Sequence, residues 1–129
     1  MNIAIIPARG GSKRIKNKNI KNFLGKPIIS YVIKKAIKSN IFDCVIVSTD
    51  STKIKKISEK YGAKVLFKRP ANLSNDKATT QDVIIHSLNW LKKKNVKFQN
   101  VCCLYPTSTL LKVNDLKKSL NLLKNNRYS

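Results

Sequence analysis

Apolar runs and amphipathic stretches alternate along this chain. Asn2 to Pro7 is a short apolar run rich in Ile, the pattern of a strand buried on both faces, and Ala8-Arg9-Gly10-Gly11-Ser12 after it is a glycine-bearing turn. From Pro27 to Lys38 the apolar residues Ile28, Ile29, Val32, Ile33, Ala36 and Ile37 recur at helical spacing, with Pro27 suited to the first turn. Cys44-Val45-Ile46-Val47-Ser48 reads as a second buried strand, closed by Thr49-Asp50-Ser51, where Asp50 or Ser51 can cap a helix running to about Tyr61 before a stop at Gly62. Val65 to Phe67 predicts a third strand, and Arg69 to Asp76 a polar loop broken by Pro70, Asn72 and Asn75. A long helix follows, with Val83, Ile84, Ser87, Leu88 and Leu91 on one face and Thr79 or Thr80 as its cap. Val101 to Tyr105 predicts a fourth strand, and Leu116, Leu120 and Leu123 mark a final helix.

Four strand–helix alternations with continuous apolar strands imply a doubly wound, mostly parallel α/β sheet covered on both faces. In such sheets ligands bind beyond the carboxyl ends of the strands. Those ends here carry Arg9 to Lys13, Thr49-Asp50, Arg69 and Tyr105 to Ser108, so the four clusters are expected to converge on one site. No repeat or linker divides the 129 residues. The chain stops at Arg127-Tyr128-Ser129, where a further strand is due. The expectation is therefore that residues 1–129 are the nucleotide-binding portion of a domain truncated at its C-terminal end.

Composition changes the picture in one respect. With 27 basic and 6 acidic residues the net charge is +21, which raises a nucleic-acid binder as an alternative. The excess is mostly Lys scattered over polar helix positions such as Lys34, Lys38, Lys55, Lys93 and Lys117, beside many Asn and Ile, and no segment interleaves cations with aromatics as a stacking platform does. A solvated surface that also attracts anionic nucleotides and sugar acids is the preferred reading, without nucleic acid as partner. Cys44, Cys102 and Cys103 form no metal-ligand spacing or disulfide framework and are expected in the core. No run of about 18 apolar residues exists for a membrane span, and the apolar start is cut at Pro7, so a cytoplasmic protein is expected.

The stretch from Pro7 to Asn19 carries the most chemistry. It is neither a Walker loop, which needs G-x-x-x-x-G-K-S/T, nor a G-x-G-x-x-G fingerprint. Its glycines nonetheless let backbone N–H groups approach phosphate oxygens, while Arg9, Lys13 and Lys18 offer cations to a polyphosphate. The plainer alternative is a surface turn in a Lys-rich chain.

Ile5 to Lys13 with Lys18-Asn19 resembles the signature of the CMP-sialic acid synthetase (acylneuraminate cytidylyltransferase) family. Leu24-Gly25-Lys26-Pro27-Ile28, Ile46 to Ser51, Arg69-Pro70-Ala71-Asn72-Leu73 through Asp76, and Tyr105-Pro106-Thr107-Ser108 are similar to its later motifs in order and spacing. The resemblance implies a Rossmann-like nucleotidyltransferase fold and attack by the anomeric hydroxyl of a nine-carbon 2-keto sugar acid on the α-phosphate of CTP, with Mg²⁺ as cofactor. It implies nucleotide contacts from Ala8, Arg9, Gly10, Gly11, Ser12, Lys13, Lys18, Asn19, Arg69 and Thr80, with Arg9 and Lys13 at the reacting phosphates, Asn19 at the ribose and Arg69 at the cytosine edge. Sugar contacts fall to Tyr105, Thr107 and Ser108. A homodimer is implied for the full-length protein, and the metal-binding D-x-D pair lies downstream of this chain. Asp50 and Asp76 match family positions but suit loop shaping better than metal binding, and the 129 residues alone are expected to be inactive.

Sialic acid enzymes usually carry Gln where Tyr105 stands, and a tyrosine there resembles the pseudaminic acid cytidylyltransferases. The alternative is that Tyr105 simply closes the core. The Ser-x-Arg-Leu-Pro signature of the 3-deoxy-manno-octulosonate cytidylyltransferases is missing, which makes that relative the secondary reading. His86, the single histidine, sits one position from the apolar face of its helix and reads as a half-buried structural residue.

Overall fold

Strand β1 (Asn2–Pro7) is the centre of the molecule, and its sequence shows why: Ile3, Ala4, Ile5 and Ile6 are all fully buried, which a strand achieves only when both faces of its sheet are covered. The computed structural model describes residues 1–11, 18–75 and 77–126, with the backbone alone for residues 123–126. After β1 come a two-residue-per-strand hairpin, β2 (Asn22–Phe23) and β3 (Lys26–Pro27), then helix α1 (Ile28–Lys38), strand β4 (Cys44–Ser48), helices α2 (Thr52–Lys60) and α3 (Thr80–Lys93), strand β5 (Asn100–Cys103) and helix α4 (Val113–Asn126). The described sheet has the order β4-β1-β5 and both pairings are parallel, with Ile5 opposite Ile46 on one side and Cys103 on the other. The doubly wound parallel α/β fold expected from the alternation of elements is what forms.

Period-two geometry sorts β1 onto two cores. Ala4 and Ile6 join Val45, Val47, Ile29, Val32, Ile33, Ile54 and Leu116 beneath α1, α2 and α4. Ile3, Ile5 and Ile46 point the other way and pack with Leu91, Ile84, Leu88 and Trp90 of α3.

The helix caps follow local chemistry. Ser51, rather than Asp50, caps α2 and accepts from the Ile54 N–H. Thr79, rather than Thr80, caps α3 in a reciprocal box with Asp82. Gly62, at φ 103°, ends the α2 turn in the left-handed region. Pro27 sits at the N-cap of α1 rather than in its first turn.

Two expectations are corrected. Val65 to Phe67 is not a ladder strand: the chain beside β4 pairs through isolated parallel bridges, Ile46 with Lys64 and Thr49, just after β4, with Lys68. The cysteines are not all core residues, because β4 and β5, which carry them, are the two outer strands of the described sheet; Cys44 and Cys102 are half-buried and Cys103 is exposed. Burial pushes all three thiols above their ordinary value, the direction of inert cysteines.

Candidate functional site

The carboxyl ends of β1 and β5, the Arg69 segment and the N-terminus of α3 enclose a cavity of about 310 Å³. Its lining includes Pro7, Arg9, Gly11, Lys18 and Asn19 from the first loop, Arg69, Ala78, Thr79, Thr80 and Val83 from the far side, and Tyr105, Pro106 and Thr107 after β5. Three cations therefore line one cavity, Arg9 and Lys18 from the first loop and Arg69 from the far side, and Thr80 lies in the first turn of a helix whose N-terminal end favours anions.

The first loop is fastened at three points. The Ala8 N–H donates to the Ser48 carbonyl (2.9 Å), extending the β1–β4 ladder by one bond. The Gly10 N–H donates to Asp50 Oδ1 (2.8 Å), and Asn19 Nδ2 donates to the Arg9 carbonyl (2.9 Å). Gly10 also approaches the α2 cap so closely that an added Cβ would stand 2.9 Å from Ser51 Cβ, a contact only glycine avoids. Asp50 thus shapes the loop, as its position after β4 suggested.

Arg69 is the most tightly held side chain of the site. Only 4% of it is exposed. Its Nε–H donates to Ser48 Oγ (3.2 Å), its NH2 group to the Ser48 carbonyl (2.7 Å) and its NH1 group to the Leu73 carbonyl (3.3 Å), while its backbone N–H donates to the Thr49 carbonyl (2.9 Å). Burial pushes its pKa down, Asp50 pushes it back up and Arg9 pushes it down again. An arginine stays charged at neutral pH under such influences because its ordinary value is so high. Three of five N–H donors are committed to fixed acceptors, which holds the planar fork in one orientation.

Tyr105 does not close the core. It is 54% exposed at the cavity and its hydroxyl donates to Thr80 Oγ1 at a long 3.4 Å. The loop behind it is a turn closed by the Ser108 N–H on the Tyr105 carbonyl (3.1 Å), and Lys35 Nζ of α1 ties it down through the Thr109 carbonyl (2.6 Å).

Of the residues expected at the site, Arg9, Gly11, Lys18, Asn19, Arg69, Thr80, Tyr105 and Thr107 share the cavity. Ala8 is fully buried in the core, Gly10 faces the α2 cap, and Ser108 closes the turn after β5, and these three are not among the residues that line it. Ser12, Lys13 and Asp76 lie outside the described residues. His86 is half-buried, with its ring edge-on to Phe67 at 5.0 Å. Two contributions escaped sequence reasoning: Ala78, Thr79 and Val83, which join the expected Thr80 at the α3 end, and Ser48, whose one signal is a hydroxyl closing an otherwise apolar strand.

Among the described residues no group of three or more His, Cys, Asp and Glu could hold a metal ion, and Asp50 Oδ1 is committed to the Gly10 N–H. No helix of the described residues is long and apolar enough to cross a membrane.

A sequence model of the family described as cytidylyltransferase matches residues 3–129. The pseudaminic acid cytidylyltransferase of Campylobacter jejuni subsp. jejuni serotype O:2 is 49% identical over 118 residues, which are 92% of this chain and 51% of that protein. The N-acylneuraminate cytidylyltransferase of Escherichia coli O18:K1:H7 is 42% identical over 106 residues, 82% of this chain and 24% of that protein. The chain therefore spans about half the length of the first of these relatives and about a quarter of the second. Among solved structures, a cytidylyltransferase from Leptospira borgpetersenii serovar Hardjo-bovis matches with a TM-score of 0.73 at 25% identity, covering 96% of this chain and 49% of that one. CMP:2-keto-3-deoxy-manno-octonic acid synthetase complexed with CTP matches with a TM-score of 0.77 over 96% of this chain and 47% of that one, at 22% identity, a likeness of fold.

Proposed function

Because the chain belongs to the cytidylyltransferase family, we propose that this protein joins CMP from CTP to a nine-carbon 2-keto sugar acid of the pseudaminic or sialic type and releases pyrophosphate. The observation that carries the proposal is the single cavity in which Arg9, Lys18 and Arg69 meet beside the hydroxyls of Thr80, Tyr105 and Thr107. In this reading the anomeric hydroxyl attacks the α-phosphate, a new P–O bond forms as the α–β bridge breaks, the hydroxyl proton passes to solvent and pyrophosphate leaves.

The work assigned to the chain is positioning and charge neutralisation, which dominate catalysis of such transfers. Arg9, Lys18 and Lys13, together with the backbone of the glycine loop, take the phosphates. Asn19 is fixed by its bond to the Arg9 carbonyl at the ribose side. The remaining donors of Arg69 suit the O2 and N3 acceptors of cytosine, an edge that uracil does not offer because its N3 carries a proton. Tyr105 and Thr107 face the sugar acid, and the exposure of the Tyr105 ring supports that role over a packing one. Mg²⁺ is proposed to arrive with the triphosphate, where it would offset part of the phosphate charge. The described residues do not themselves compose a metal site, so no step here runs through it. We place the reaction in the cytoplasm, with CTP, and in a homodimer.

The test is pyrophosphate release by the purified full-length protein that carries these 129 residues, supplied with CTP, Mg²⁺ and, in turn, pseudaminic acid, N-acetylneuraminic acid and 3-deoxy-manno-octulosonate, the 129 residues alone being expected to release none. Release with either nine-carbon acid is expected. If release requires only the eight-carbon acid, or fails with all three while a full-length relative turns over in the same assay, the proposal falls.

A further inference from the structure

We propose that Ser48 is a positioning residue that aims Arg69 at the nucleobase and ties that aim to the phosphate loop. The inference rests on the assignment of Arg69 to the cytosine edge. Ser48 closes β4 and is fully buried. Its carbonyl accepts two N–H groups, one from Ala8 at the root of the first loop (2.9 Å) and one from the Arg69 NH2 group (2.7 Å), which the two lone pairs of a carbonyl oxygen permit. Its hydroxyl accepts from Arg69 Nε (3.2 Å). With the Leu73 carbonyl on NH1 (3.3 Å), the guanidinium is held at three points, so neither its plane nor its rotation is free.

Two roles for the serine are separable. The carbonyl bonds belong to the backbone and survive any substitution; the hydroxyl bond alone depends on the side chain. A serine that merely fills a small buried space loses little on becoming alanine. A serine that aims the fork leaves a buried charged N–H without its acceptor, and the guanidinium turns to find another. The base arm then suffers while the phosphate arm, fixed by Ala8 and Asp50, stays in place.

The experiment measures binding of CTP, UTP and inorganic triphosphate to the chain and to Ser48→Ala by calorimetry. The wild type is expected to prefer CTP. In Ser48→Ala, CTP affinity and the CTP-over-UTP ratio should each fall about tenfold, the scale of one charged hydrogen bond, with triphosphate binding within about twofold of wild type. Ser48→Thr, which keeps the hydroxyl, should restore the ratio. A folded Ser48→Ala that keeps the wild-type ratio overturns the inference and leaves the Arg69 assignment standing. A wild type with no preference for CTP overturns that assignment and this inference with it. Should the alanine variant not fold, Ser48→Cys keeps the shape with a weak sulfur acceptor and carries the same expectation. The Arg69 Nε–H resonance gives a further reading: it should exchange slowly with solvent in the wild type and in Ser48→Thr and faster in Ser48→Ala or Ser48→Cys, and equal exchange rates in wild type and Ser48→Ala refute the proposal.

Discussion

Asp50→Ala separates two ways in which this chain is proposed to hold a nucleotide. The substitution removes the acceptor of the Gly10 N–H, a 2.8 Å bond that is partly buried. Hydrogen bonds to charged groups contribute about 1.5–3 kcal/mol, and partial exposure places this one near ~2 kcal/mol. The urea midpoint should fall by roughly 1 M for a chain of this size. If the loop must be re-ordered when ligand binds, CTP affinity drops by up to about 30-fold. The opposing effect is electrostatic, since a carboxylate lost from a chain of net charge +21 makes the cavity more positive. At a separation of roughly 10 Å and 0.15 M salt, screening leaves about 0.1–0.2 kcal/mol per phosphate charge, under ~1 kcal/mol for a whole triphosphate. The loop effect wins, so Asp50→Ala should bind CTP more weakly. Asp50→Asn retains an acceptor without the charge and should recover about half of the loss. Tighter CTP binding by the folded alanine variant, or an unchanged urea midpoint, would refute the claim that fixed geometry outweighs bulk attraction.

Gly10→Ala should cost about 1–3 kcal/mol and weaken CTP binding, because its Cβ meets Ser51 Cβ at 2.9 Å, whereas Gly11→Ala, which meets nothing within 4 Å, should melt within about 1 °C of wild type. Thr79→Ala removes one half of the α3 capping box and should lower stability by ~1 kcal/mol in chemical denaturation, with Thr79→Ser nearly neutral. Burial, then the charges of Arg69 and Lys93, hold the His86 pKa below its ordinary value. The unfolded chain therefore takes up a proton before the folded one does. Stability is greatest above about pH 6.5, falls as pH drops from there toward the depressed folded value, and levels off below it. With one histidine in the chain, urea midpoints between pH 5 and 7 should lose that slope in His86→Gln, and persistence of the slope would contradict the assignment.

How far the sequence could be read depended on whether a signal was local. β1, α1 and α3 were legible because uninterrupted Ile and recurring apolar residues report burial directly. The Val65 to Phe67 run looked equally apolar, yet its pairing with β4 depends on where neighbouring strands lie, and the bridges that form are those of Lys64 with Ile46 and of Lys68 with Thr49. Cys103 failed for the same reason: the run Val101 to Leu104 does not say that β5 is an outer strand. The hairpin at Asn22 to Pro27 was hidden because its turn places Leu24, at φ 49°, beside Gly25, at φ 86°, and leucine gives no hint of a left-handed backbone. Within the site, residues whose chemistry shows in their type, such as Arg9, Lys18, Arg69 and Tyr105, were legible. Ser48 was not, because half of its contribution is a backbone carbonyl, which every residue has.

The six acidic residues show how a strongly basic chain acquires specificity. Three of them accept backbone N–H groups at points where the chain changes direction: Asp43 from Asn2 (2.7 Å), Asp50 from Gly10 (2.8 Å) and Asp82 from Thr79 (3.1 Å). A carboxylate is worth keeping there because a charged acceptor fixes a backbone donor about twice as strongly as a neutral one. The lysines act differently, raising the local concentration of any anion without regard to its shape. Selection among anions must then come from groups that cannot move. Among the described residues those are Ala8, the Arg9 carbonyl and Gly10, fastened by Ser48, Asn19 and Asp50, and the guanidinium fork held by Ser48 and Leu73. On the proposed function, net charge would bring nucleotides to the molecule, and a few bonds at the ends of β1 and β4 would decide which one stays.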